Sequence, residues 1–154
     1  MNQSFAALLL AARRERQLVI ATALTDGAPS GQARQARLAQ QQGAGAAELR
    51  VDLLADPAQV RAALTAVRAA SSLPLLLTYR SATEGGKGAG HGQGYEDYLA
   101  SLLQLHPPVA ALDIEMACPA SKALVAEAKA GGYDVVGSCH DFTATPSAAQ
   151  IAEK

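Results

Sequence analysis

The segment SCHDFTATPS, residues 138–147, sets a thiol, an imidazole and a carboxylate side by side ahead of a Thr-Pro. Imidazole takes up and returns a proton near neutral pH, so His140 is the first candidate for general acid–base work. Other polar and charged residues stand inside otherwise apolar runs. They are Glu48, Arg50 and Asp52 in AAELRVDLL, Thr78 and Arg80 in LPLLLTYR with Glu84 just beyond, and Asp113 and Glu115 in VAALDIE. Within each run the polar residues recur at every second position, with Leu49, Val51 and Leu53 alternating in the first case. On a strand that spacing sends them all to one face. Carboxylates, arginines and a histidine that share a face can pair with one another and with a polar substrate.

Each of these residues also has a plainer reading. His140 could be an inert core histidine. A metal pair of Cys139 and His140 is disfavoured, because neighbours on a strand point to opposite faces and no further cluster has zinc spacing. Glu48 with Arg50 could be a structural ion pair, while Asp113 and Glu115 read as partners for the arginines rather than as catalysts. GGKGAGHGQG, residues 85–94, holds six glycines in ten residues. Glycine follows Lys87, so the loop lacks the G-K-[ST] of a phosphate loop and reads as flexible. His91 and His106 stand in loop or helix-end contexts without partners and are expected to be exposed.

The elements that must carry these residues alternate along the chain. Strand-length apolar runs occupy 18–24, 46–54, 73–80, 109–115 and 133–140. Ala-rich helical stretches fill 32–42, 57–70, 94–105 and 119–130. Phe5, Leu8, Leu9 and Ala12 follow the i, i+3, i+4, i+7 spacing of one more amphipathic helix. Asp56 before Pro57 suits an N-cap with proline in the first helical position, and KAGG at 129–132 offers glycines for a left-handed stop. Strand–helix alternation implies an α/β fold with parallel strands and right-handed crossovers. Five strands in 154 residues fit a doubly wound sheet by length. The charges argue otherwise: a doubly wound sheet buries both faces under helices, where each unpaired charge costs several kcal/mol. The open C-terminal mouth of a (β/α)8 barrel accommodates them.

Composition narrows the function. The chain is 49% hydrophobic and 18% charged with a net charge of −1, the balance of one globular domain over 1–154. Apart from RRER at 13–16 there is no basic cluster, so a nucleic-acid footprint is missing. The apolar run FAALLLAA, 5–12, is too short to span a bilayer. Two cysteines, Cys118 and Cys139, make no disulfide framework, which points to a cytoplasmic protein with reduced thiols.

The four strings ELRVDLL, TYRSATEGG, LDIEM and SCHDFTATP resemble, in order and spacing, the strand-end motifs of type I 3-dehydroquinate dehydratase, a (β/α)8 TIM-barrel family of the shikimate pathway and aromatic amino acid biosynthesis. The resemblance runs from about residue 18 to the end of the chain. It implies dehydration of 3-dehydroquinate to 3-dehydroshikimate through a Schiff base, with the iminium as electron sink. His140 falls on the family's proton-transferring histidine and Glu84 on the glutamate that orients it. Glu48, Arg50 and Arg80 fall on contacts to the substrate hydroxyls, and Thr22 on a hydroxyl residue near the end of the first strand. Neither cofactor nor metal is implied, and the partner is the small-molecule substrate; a homodimer is one expectation for the complete protein. The Schiff-base lysine has no counterpart, since Lys154 stands on the wrong element and reads as a solvated helical lysine. The chain is therefore expected to hold about the first five βα units of an incomplete barrel and to be inactive alone. Two other readings stay open: a non-catalytic remnant that binds a polyol or a partner chain, and a small, complete doubly wound binding domain.

Overall fold

The alternation of apolar runs and Ala-rich stretches becomes helices and strands in strict succession. The structure, a computed structural model, describes residues 4–54 and 57–152. Asp56 and Lys154, for which a cap and a solvated helix position are expected, lie outside the described residues. The elements are α1 (Phe5–Glu15), β1 (Ala21–Leu24), α2 (Pro29–Gln41), β2 (Ala46–Arg50), α3 (Val60–Ala70), β3 (Leu75–Thr78), α4 (Gln93–Gln104), β4 (Ala111–Glu115), α5 (Ser121–Ala130), β5 (Asp134–Ser138) and the short α6 (Ala148–Ala152).

All strand pairings are parallel, and the sheet order β1-β2-β3-β4-β5 follows the chain. That order decides between the two architectures. A doubly wound sheet reverses at a switch point and takes helices on both faces. This sheet has no reversal, and α2, α3, α4 and α5 all pack on one side of it. Ala36, Val67, Leu102 and Leu124 from those helices join Leu24, Leu49, Leu77, Leu112 and Ile114 from the strands in one buried cluster. Burial of a leucine of this kind contributes about 1.5–3 kcal/mol, so the helix layer holds the sheet. The architecture is that of a TIM barrel whose five described strands do not close, with β1 and β5 at the edges.

The other face is the inner one. Near its N-terminal end Ala46, Leu76 and Ala111 form a small apolar floor covered by Phe5 of α1. Ser4 caps α1: its hydroxyl accepts the Ala7 N–H and donates to Asp134 at 2.8 Å. The Ala6 N–H also reaches Asp134, at 2.9 Å. Chiefly through that N–H, which outweighs the opposing effect of burial with help from the Ser4 hydroxyl, the Asp134 carboxyl is held below its ordinary value.

Several boundaries differ from the sequence expectation for local reasons. β1 starts at Ala21, because Leu18 and Ile20 precede the point where β2 runs alongside and stay exposed. β2 ends at Arg50, where the chain tightens into a 3-10 turn over Val51–Leu53. The helix expected from 57 starts with a 3-10 turn at Pro57–Gln59 before α3. The left-handed stop after α5 is Gly132, with φ of +82°.

Candidate active site

Alternation along the inner face carries polar side chains to its C-terminal end. Register pairs Arg50 with Thr78, Asp113 with Val136, and Glu115 with Ser138, so these residues share one face. Thr22 does not join them. It pairs with Ala47 and lies on the helix-facing side beside Leu24 and Leu49, the face opposite Glu48 and Arg50. The expectation that Thr22 contributes to the strand-end cluster is thus corrected by the parity of β1.

Arg80, just past β3, is the hub. Its guanidinium lies 3.0 Å from Asp113, 3.1 Å from Glu115, 3.5 Å from Glu84 and 2.8 Å from the Ser138 hydroxyl. That hydroxyl donates in turn to Asp113 at 2.8 Å. Only 8% of the Arg80 side chain is exposed. Burial lowers its pKa, but the adjacent Asp113 and Glu115 charges more than compensate and raise it.

The two carboxylates of β4 respond in opposite senses. Burial is the largest influence on Asp113 and raises its pKa, with Arg80 and Ser138 opposing only in part. Glu115 is fully buried, which alone would raise it. Its oxygens accept the Ser81 hydroxyl at 2.6 Å and the Ser81 N–H at 2.8 Å, and they lie beside His91 and Arg80. Those bonds prevail, and the Glu115 carboxyl sits below its ordinary value. Tyr95 accepts the Glu115 N–H at 3.2 Å, and burial pushes its phenol upward.

Glu84 faces His140 across the mouth. One carboxylate oxygen lies 2.8 Å from His140 Nδ1 and accepts the His140 N–H at 3.0 Å. β5 has already ended at Ser138, so His140 is carried by the chain that leaves the strand, with 40% of its side chain exposed. With a hydrogen on Nδ1 directed at Glu84, Nε2 is left free as a base. The ring stacks on Phe142 with centroids 6.4 Å apart. Glu84, His91 and His140 line a single cleft of about 460 Å³ together with Gly85, Cys139 and Phe142.

The glycine-rich segment is tied down, contrary to the flexible loop expected from composition. Tyr79 accepts the Ala89 N–H at 2.7 Å, Thr83 accepts the His91 N–H at 3.0 Å, and Asp52 accepts the Lys87 N–H at 3.2 Å. Gly86 passes so close to the chain just past β3 that a Cβ there would stand 2.2 Å from the Arg80 carbonyl oxygen. The glycines therefore serve close approach as much as freedom.

His91 overturns a further expectation. It is neither exposed nor unpartnered: its side chain is 15% exposed, and Nε2 is bonded to Glu115 and lies 3.9 Å from Glu84. No local pattern marks His91 or Ser81 in the sequence, because both reach Glu115 from across a loop. His106 is exposed, as expected. Glu48 and Arg50 do not pair with each other. Arg50 makes a two-pronged bond to Asp52, at 2.8 and 2.7 Å. The side chain of Glu48, half-buried, makes no hydrogen bond among the described residues.

Comparison with known proteins agrees with this geometry. The family model described as type I 3-dehydroquinase matches residues 20–154. A 3-dehydroquinate dehydratase of Methanosarcina barkeri is 36% identical over 115 residues, covering 72% of this chain and 48% of the relative. One from Methanoregula boonei is 38% identical over 128 residues, covering 82% and 54%. The chain thus spans about half the length of the curated relatives it matches. The structure of 3-dehydroquinate dehydratase from Enterococcus faecalis superposes with a TM-score of 0.77 at 27% identity, over 88% of this chain and 58% of that one.

Proposed function

Because the chain belongs to the type I 3-dehydroquinase family, we propose that its strand-end cluster is the acid–base half of a site that dehydrates 3-dehydroquinate to 3-dehydroshikimate, a step of the shikimate pathway. The observation that carries the reading is the 2.8 Å approach of Glu84 to His140 Nδ1 at the wall of the cleft. In the first step His140 Nε2 removes a proton from the carbon beside the substrate's reacting carbonyl carbon, and the C–H electron pair moves toward an electron sink. In the second step the electron pair returns from the sink to form the carbon–carbon double bond, the C–O bond breaks, and the departing hydroxyl takes the imidazolium's proton and leaves as water. Glu84 keeps the imidazole in the required tautomer and orientation. A positioned base of this kind supplies roughly 10²–10⁴-fold in rate.

Glu48 and Arg50, half-buried at the mouth, are the proposed contacts to the substrate hydroxyls. Arg80 is engaged by four protein groups, so its proposed part is mainly to hold Glu84 and Glu115 in place. The family resemblance supplies the electron sink as an iminium on a lysine. Lys122 and Lys129 lie on α5 in the outer layer and Lys87 on the exposed loop, so no described lysine is assigned that part. Neither cysteine is in a disulfide, which supports a reducing cytoplasmic setting. No helix among the described residues is long and apolar enough to cross a membrane. The open edges at β1 and β5 are the proposed places for a second copy to pair.

The test joins this chain to the C-terminal half of the Methanosarcina barkeri relative. The expected outcome is dehydratase turnover that falls about 10²–10⁴-fold on His140→Ala. Borohydride treatment of the 154-residue chain alone with 3-dehydroquinate should trap no covalent adduct. Equal turnover with and without His140 would sink the assignment, as would a stoichiometric adduct on a lysine of this chain.

A further inference from the structure

Glu84, His91 and Glu115 come from three separate segments: the turn after β3, the loop before α4 and the end of β4. Each offers one ligand atom, and the three atoms lie within 4.8 Å of one another. A second observation points to something missing among them. Glu84 is 3% exposed, yet its Oε1 is buried with no hydrogen-bond partner, facing His91 Nε2 at 3.9 Å. An unpaired buried carboxylate oxygen is costly.

We propose that these three residues form a binding site for a divalent transition-metal ion of the zinc class. The donor set of one imidazole and two carboxylates suits zinc or cobalt, and the imidazole argues against magnesium. Bond lengths near 2.0–2.2 Å place neighbouring ligands of a tetrahedral ion roughly 3.3 Å apart. The distances from His91 Nε2, 3.9 Å to Glu84 and 2.5 Å to Glu115, lie on either side of that value. A small shift of the ring satisfies both, and the ring is carried on a loop rather than on a strand.

The outer contacts are already in place. The second oxygen of Glu84 is held by His140, and that of Glu115 by the Ser81 N–H and Arg80. Such contacts orient carboxylate ligands. Charge favours a cation as well: Glu84, Asp113 and Glu115 surround one guanidinium, a formal surplus of two negative charges when all are ionised. The cleft beside Glu84 and His91 leaves the fourth position to water. His91 binds the ion through a bare Nε2 with its proton on Nδ1, so acid competes with the metal.

The experiment titrates the 154-residue chain with Co²⁺, followed by visible absorption, and with Zn²⁺, followed by calorimetry. The expected result is one ion per chain, with affinity that falls at least about tenfold on His91→Ala, is unchanged by His106→Ala, and weakens as the pH is lowered. Binding that survives His91→Ala, or no binding at millimolar metal, overturns the proposal. If His91→Ala fails to fold, Co²⁺-induced NMR shifts in the parent chain decide. Shifts centred on residues 84, 91 and 115 support the site, and shifts centred elsewhere overturn it. These readouts need no turnover, so they stand or fall apart from the proposed dehydration.

Discussion

Replacing Arg80 by methionine removes the one positive charge that Asp113, Glu115 and Glu84 share, while keeping an apolar stem of similar length. The guanidinium makes two carboxylate contacts at 3.0 and 3.1 Å from a side chain that is 8% exposed. Charge-assisted hydrogen bonds contribute about 1.5–3 kcal/mol each, and breaking a buried ion pair costs about 3–5 kcal/mol. The expected loss is therefore about 3–5 kcal/mol, a large part of the roughly 5–15 kcal/mol that a domain holds in total. The loss must also depend on pH. Burial already raises the Asp113 carboxyl, and without Arg80 the folded-state values of both Asp113 and Glu115 move up. Groups with raised folded values favour the folded state below their unfolded values, near pH 4, and that contribution disappears as pH rises through the folded values. The deficit of Arg80→Met is thus full at neutral pH and shrinks as the solution is acidified. Urea unfolding of parent and variant at about pH 7.5 and pH 5, at one protein concentration, measures it. A variant unfolded at neutral pH should regain structure on mild acidification. A neutral-pH loss below about 1 kcal/mol, or a loss that grows as pH falls, refutes the picture of Arg80 as the shared counter-charge.

Three further outcomes are expected. Gly86→Ala drives a methyl group into the Arg80 carbonyl and should cost about 1–3 kcal/mol, with faster amide exchange across residues 85–92; an unchanged melting temperature contradicts the close approach. The Asp134 carboxyl has a depressed folded value, so its support of α1 is present above the ordinary aspartate value near 3.9 and lost as pH falls through the lower folded one. Amide exchange in α1 should therefore speed up only in acid for the parent and already at neutral pH for Asp134→Asn, and identical profiles refute the link. Finally, the unpaired edges of β1 and β5, with Leu18 and Ile20 exposed beside the first, predict self-association; size-exclusion chromatography that shows only monomer up to near-millimolar concentration rules it out.

Much of the fold is legible in the chain itself. Alternation of strand and helix follows from local apolar spacing, and the period-two placement of Glu48 and Arg50, or of Asp113 and Glu115, puts each pair on one face whatever the surroundings. Both are properties of neighbouring residues, so no distant contact is needed to find them. Thr22, placed among the strand-end residues by resemblance, lies on the other face, and four strand residues are too few to show that without the register to β2. Sheet order is different in kind. The strand pattern suits a doubly wound sheet as well as a barrel, and only the pairing of each strand with its successor separates them, because that choice rests on how helices and edges pack in space.

The site divides in the same way. His140 and Glu84 could be picked out from motif resemblance, but their 2.8 Å contact joins residues 56 positions apart and exists only once β3 and β5 are placed around β4. Arg50 turns to Asp52 rather than Glu48 because β2 breaks into a 3-10 turn that brings the aspartate within the arginine's reach. His91 is the clearest case. Sequence shows a histidine among glycines, which reads as exposed. The tertiary structure pins that loop through Tyr79, Thr83 and Asp52 and sets the ring against two buried carboxylates. Sequence alone determined which residue types stand at the strand ends, since alternation is local. Which of them share a hydrogen bond or a charge was decided only by packing, which sets distances across the sheet.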